Sequence, residues 1–219
     1  DPLKQKLRAE LFFKNYYKRD VIDIKVKKNK KIKIGYLSHN FVVHPVSFLI
    51  SKVIEIHNRS EFEIYGYSIN PIEDDLTRNF YKSFDSFKNL SKESDDSANK
   101  KIREDNLDII IDLMGYTTGS RMGILSKRAA PIQVSYLAYP ATSGSDQIDY
   151  IIADKNVIPK DKQEFYTEKV LYLPKTYICF DDSTKISTTY KPKQFVNQNQ
   201  KNFILIGFHK IEKLNLSTC

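Results

Sequence analysis

Leu107-Asp108-Ile109-Ile110-Ile111-Asp112-Leu113 is short and nearly all apolar. Such a run suits a strand buried on both faces, as in the middle of a parallel sheet. Just before it, Ser94–Asn106 reads as a charged helix, with Asp95 and Asp96 in the first turn where the helix dipole favours acid. Just after it, Gly119–Ala130 reads as a helix and Ile132–Tyr139 as the next strand. Upstream, Lys31–Ser38, Phe62–Ile69 and the weaker Ser86–Leu90 are strands. Between them lie helices over Pro45–His57, with Phe48, Leu49, Val53 and Ile56 on one face, and over Glu73–Phe84. Downstream, Tyr150–Ala153, Lys169–Leu173 and Tyr177–Phe180 read as strands. Strands alternating with helices predict an α/β fold with a largely parallel sheet. Sites in such sheets lie at the carboxyl ends of the strands.

The flanks differ from this middle. Asp1-Pro2 offers an N-cap and a first-turn proline, and Leu3, Leu7, Leu11 and Phe12 recur at helical spacing. Residues 2–19 therefore read as an amphipathic helix, and residues 1–30 as a helix plus basic linker. Residues 31–182 form the lobe. Residues 183–201 read as a polar Asn/Gln/Lys-rich insert, and Asn202–Phe208 as a last apolar strand. The first residue is Asp1 and the last Cys219, so both ends look cut from something longer.

The chain has 219 residues and a formal net charge of +8. Residues 1–33 hold 12 Lys/Arg against 4 Asp/Glu, and the remaining residues balance. The basic excess thus belongs to the N-terminal segment, which argues against a nucleic-acid groove across the folded body. Two cysteines, Cys179 and Cys219, make neither a disulfide framework nor a metal spacing, and point to a cytoplasmic protein. No stretch approaches the ~18 apolar residues of a membrane span. No membrane or nucleic-acid partner is expected. P-loop, G-x-G-x-x-G, H-E-x-x-H, C-x-x-C and G-x-S-x-G signatures are all missing, which disfavours NTPase, dinucleotide, zinc and α/β-hydrolase chemistry.

Three strand-end segments remain. In Ser38–Ser47, His44 precedes Pro45, which can open a helix. An imidazole there tends to be neutral, able to take a proton or orient a hydroxyl, or else it merely caps the helix. In Asp112–Arg121, Gly115, Thr117, Thr118 and Ser120 present backbone N–H groups and hydroxyls, while Arg121 either holds an anion or pairs with Asp112. In Pro131–Gly144, a buried strand runs into Pro140 and small residues. That makes either a wall suited to an uncharged ligand such as a sugar, or an ordinary loop.

Together these segments resemble the O-GlcNAc transferase and SPINDLY family of glycosyltransferases, including its bacterial members with tetratricopeptide repeats. Ile34-Gly35-Tyr36-Leu37-Ser38 through His44 is similar to the family's first strand and histidine loop. DIIIDLMGYTTGSR (108–121) and APIQVSYLAYPATSG (130–144) match its next two stretches. IDYIIAD (148–154), YTEKVLYLP (166–174) and GFHKIEK (207–213) follow in order.

The resemblance implies a Rossmann-like first lobe of a GT-B pair over residues 31–182, with residues 202–219 the start of the truncated second lobe. The enzyme would transfer a sugar, GlcNAc or in some members fucose, from a nucleotide sugar such as UDP-GlcNAc to Ser/Thr of proteins. Transfer would proceed with inversion and with neither metal nor other cofactor. By resemblance His44 sits beside donor and acceptor, with Pro45 next to it. Leu137, Ala138 and Pro140 line the sugar pocket, Thr117 and Arg121 contact substrate, and Lys213 and Lys210 bind the diphosphate. The implied partners are a protein acceptor, the nucleotide sugar, upstream tetratricopeptide repeats and a downstream second lobe. This chain alone is expected to be inactive. Asn40 replaces the family's usual Asp, Ala138 its Gly, Tyr136 its Trp, and Lys210 a Gln or Asn. Those departures leave room for the alternative of a non-catalytic interaction module derived from such a lobe.

Overall fold

The computed structural model describes residues 1–17, 24 and 29–181. The chain divides into two compact units, Asp1–Asp182 and Ser183–Cys219. The polar insert, the strand expected over Asn202–Phe208, and Lys210 and Lys213 lie outside the described residues.

Seven strands make one sheet: β1 (Ile32–Ser38), β2 (Phe62–Ser68), β3 (Ser86–Asn89), β4 (Ile109–Asp112), β5 (Ile132–Ser135), β6 (Tyr150–Ala153) and β7 (Lys169–Tyr172). Their order is β3-β2-β1-β4-β5-β6-β7, and every pairing is parallel. Among the described residues, four α-helices accompany them: α1 (Pro2–Tyr16), α2 (Pro45–Ile56), α3 (Asp75–Ser83) and α4 (Asp95–Glu104).

β4 occupies the centre because its side chains satisfy both faces. Ile111 joins Ile34, Tyr36, Phe41, Ile50, Ile54 and Phe80 on the α2/α3 side. Ile110 joins Leu37, Tyr67, Ala98, Ile102 and Leu125 on the α4 side. Adjacent residues of a strand point to opposite faces, so a run of isoleucines feeds both layers. Strand order reverses between β1 and β4, and the crevice above that switch point is where such sheets bind ligands.

Three expectations change. The helix expected over Gly119–Ala130 does not form; only a 3-10 turn, Met122–Ile124, appears there. Gly119 has φ +83° and Arg128 φ +53°, which break helical continuity at both ends. Buried amides also capture carbonyls that a helix would use. Asn99 donates to Ile124 at 2.7 Å, and Gln133 to Leu125 at 2.9 Å. Tyr177–Phe180 forms no strand either, because the Tyr177 N–H goes to the Asp154 carboxylate at 2.6 Å.

The third change concerns α1. Its N-terminus is capped as expected, with the Asp1 carboxylate accepting from the N–H groups of Leu3 and Lys4. The helix, however, buries Ala9 and Phe13, and leaves Leu3, Leu7, Leu11 and Phe12 exposed. The decisive contact is Ala9 and Glu10 against Gly144, where backbones meet so closely that only small residues fit. α1 thus packs on the loops that follow β4, β5 and β6. Gln5 donates to the Tyr139 hydroxyl at 2.8 Å, and Lys6 to the Glu164 carbonyl at 2.7 Å. The rings of Phe12 and Tyr116 meet edge to face at 5.4 Å.

Candidate active site

The loop after β1 begins with Ser38, whose hydroxyl accepts from the Asn40 N–H at 2.9 Å. The Asn40 carbonyl takes the Ser47 hydroxyl, and the Phe41 carbonyl takes that of Thr77 at 2.6 Å. Phe41 drives its ring into the core against Phe80, Phe84 and Phe87. His44 then caps α2: its Nδ1 accepts from the Val46 N–H at 3.2 Å, and Pro45 occupies the first helical position, exposed. Burial, and secondarily the neighbouring His39, hold His44 below the usual histidine range. With Nδ1 accepting, the proton of the neutral ring is assigned to Nε2. His44 is therefore a cap of α2 that keeps Nε2–H as its remaining donor.

His39 lies beside it at the same strand end. Its carbonyl accepts from Asn70 at 2.9 Å, and its ring covers Gly119, where any Cβ would strike it. The β1 and β4 loops thereby touch across the switch point.

The loop after β4 is shaped by Asp112. Its carboxylate accepts from the N–H groups of Met114 at 3.0 Å and Gly115 at 2.8 Å. Full burial nevertheless pushes its pKa up to about 6. Thr117 faces the cleft described below and bonds the Met114 carbonyl at 2.9 Å. Arg121 does neither thing expected of it. Its guanidinium pairs with Asp95 at 2.7 Å and donates to the carbonyls of Leu90 and Glu93. It ties down the segment leading into α4, so it is unavailable for substrate.

The loop after β5 carries the expected sugar wall. Leu137 is buried, Ala138 and Tyr139 are half-buried, and Pro140 is exposed. Leu137 has φ +79°, and the Ala138 N–H returns to the Tyr136 carbonyl at 3.2 Å, closing a tight turn of the disfavoured hand. The Pro140 carbonyl accepts from the Tyr166 hydroxyl at 3.0 Å. Thr142 and Ser143 are fixed by the buried carboxylate of Glu168, which accepts the Thr142 hydroxyl at 2.8 Å and the Ser143 N–H at 2.7 Å.

Between α1 and the β4 and β5 loops lies a cleft of about 450 Å³, lined by Gln5, Arg8, Phe12, Tyr116, Thr117 and Tyr139 among others. Tyr116 and Tyr139 meet edge to face at 5.7 Å, and Tyr116 donates to the Ser143 carbonyl at 2.6 Å. The α1 contribution is not legible in the sequence, because Gln5 and Arg8 lie off the apolar stripe of the amphipathic helix expected over residues 2–19. Tyr139 was legible inside the quoted Pro131–Gly144 segment. Among the described residues, no group of three or more His, Cys, Asp or Glu is placed to hold a metal ion, and no helix is long and apolar enough to cross a membrane.

The profile of Glycosyl transferase family 41 matches residues 8–215. The chain belongs to that family. Among family 41 relatives, it is 34% identical over 192 residues to a probable UDP-N-acetylglucosamine–peptide N-acetylglucosaminyltransferase SEC of Arabidopsis thaliana, covering 85% of this chain and 20% of the relative. It is 35% identical over 158 residues to the UDP-N-acetylglucosamine–peptide N-acetylglucosaminyltransferase of Caenorhabditis elegans, covering 71% and 14%. Among solved structures, a K341M mutant of the Thermobaculum terrenum O-GlcNAc transferase superposes with a TM-score of 0.77 at 28% identity, covering 81% of this chain and 35% of that one. The chain thus spans a fifth or less of these curated relatives and about a third of the solved structure. The all-parallel sheet is the catalytic-lobe fold of family 41, as the resemblance implied.

Proposed function

We propose that this chain is the histidine-bearing lobe of a protein O-glycosyltransferase that moves GlcNAc from UDP-GlcNAc to Ser or Thr of a polypeptide. The observation that carries this reading is His44. It caps α2 at the strand-order switch, is held neutral, and is aimed by its Val46 bond so that Nε2–H is left for a substrate oxygen. In the reaction, the acceptor hydroxyl oxygen bonds to the anomeric carbon as the bond from that carbon to the diphosphate breaks, and the hydroxyl proton leaves with the departing diphosphate or to water. His44 orients the reacting groups by hydrogen bonding.

Leu137, Ala138 and Pro140 form the wall beside the sugar, and Thr117 the edge of the acceptor cleft. Lys210 and Lys213 take the diphosphate charge, and no metal or other cofactor is used. Tetratricopeptide repeats upstream and a second lobe downstream complete the protein in this reading; relatives several times longer than the chain support it.

The test is transfer of labelled GlcNAc to acceptor peptide by the full-length protein. His44→Ala is expected to lower turnover by about 10–10²-fold, the scale of one lost hydrogen bond that positions the reacting groups. Because the His44 pKa is depressed, the wild-type imidazole stays neutral somewhat below pH 6.5, and activity should hold there before it falls. A wild-type protein that transfers no sugar is instead the interaction module.

A further inference from the structure

The β5 loop contains the strained peptide at Leu137, and the group that holds it comes from 40 residues downstream. The Tyr177 hydroxyl donates to the Leu137 carbonyl. In return, the Tyr136 hydroxyl donates to the Tyr177 carbonyl at 2.9 Å, and the two rings pack edge to face at 5.8 Å. Tyr177 is itself held, since its N–H reaches the Asp154 carboxylate, whose other oxygen closes the turn after β6 through Asn156 and Val157. The phenol is 5% exposed, and burial pushes its pKa up to about 12, so it remains a donor across the working range of pH.

A leucine at φ +79° is disfavoured by sterics and persists only where its surroundings insist on it. Here the insistence is directional. The Leu137 carbonyl is drawn inward to Tyr177, and the following residues, Ala138 to Pro140, are turned outward at the carboxyl edge of the sheet. Tyr139 thereby reaches the cleft. Freed of the hydroxyl, Leu137 can relax to an ordinary extended conformation, which swings that wall.

We infer that Tyr177 is a positioning residue that presets the β5 loop for the nucleotide-sugar donor. This rests on the function proposed above. The test compares two single-atom deletions in the full-length protein. Tyr177→Phe frees the Leu137 carbonyl; Tyr136→Phe removes an equally buried hydroxyl and leaves Leu137 clamped.

For Tyr177→Phe, the donor KM should rise about tenfold, the scale of one buried hydrogen bond, with kcat and the acceptor KM within about twofold. Hydrogen exchange at the Ala138 amide should quicken. For Tyr136→Phe, the donor KM should stay within about twofold. Equal donor KM changes in the two variants, or an unchanged donor KM in Tyr177→Phe, overturn the inference while transfer by the wild type stands. A wild type without transfer removes the functional reading and the inference with it.

Discussion

The loops after β1 and β5 both rise from the carboxyl edge of the sheet, but they are held by different means. The β1 loop keeps every φ out of the left-handed region. Ser38, Ser47 and the His44 cap close it from within, and Asp74 and Thr77 at the start of α3 finish it. The β5 loop has left-handed backbone at Leu137 and Gly144. It is held largely from outside, by Tyr166, Glu168, Tyr177 and α1. One loop keeps ordinary backbone and is shaped by caps and turns, finished by hydrogen bonds from Asp74 and Thr77. The other is shaped by its neighbours, and is only as firm as they are.

Replacing Gly144 by Ala strikes the second kind of hold hardest. A Cβ there would lie 2.3 Å from the Ala9 carbonyl carbon and the Glu10 nitrogen, and φ is +66°. Backbone strain and overpacking together should cost about 2–4 kcal/mol in urea unfolding and loosen α1. Hydrogen exchange should rise in residues 3–13 and 137–145 but not in residues 39–47. If α2 and its preceding loop loosen equally, the two loops are not independent.

Glu168→Gln is the finer cut. The amide keeps one acceptor oxygen but places an N–H₂ against the hydroxyls and N–H now facing Glu168, leaving at least one buried donor unpaired. A loss of about 1–3 kcal/mol is expected, again with exchange rising only around residues 142–145.

Thr77→Val tests the other side. It removes the hydroxyl that bonds the Phe41 carbonyl and accepts the Asp74 N–H in the capping box of α3. Stability should fall by about 1–2 kcal/mol, with faster exchange confined to residues 39–47 and 74–78. Loosening of the β5 loop by this change would erase the contrast.

The contrast also explains what could be read from the chain. His44 before Pro45 is a cap signal complete within two residues, and the structure places that cap as the spacing implied. The strand Ile109–Asp112 sits at the centre because its isoleucines pack on both faces of the sheet. The helix expected over Gly119–Ala130 did not form. Asn99 and Gln133, one on each side of the segment, compete for its carbonyls, and no local pattern announces such competition. Arg121 was legible as a charge beside Asp112, yet it turns to Asp95, which α4 carries to it. On α1 the leucine stripe promised burial, but close approach to Gly144 selected the face bearing Ala9.

By itself, then, the sequence determined the seven strands of the sheet and the helices α1–α4 in their order, the buried centre of a parallel sheet, the strand ends where a site belongs, and the histidine cap of α2. These follow from hydrophobic period and capping chemistry, which act over a few residues. Only the tertiary structure decided that α1 forms a wall of the cleft, that Arg121 serves α4, and that Tyr177 and Glu168 hold the β5 loop. Those choices are contacts between residues far apart in the chain, set by which backbones can approach and which buried polar groups find partners once the sheet has formed.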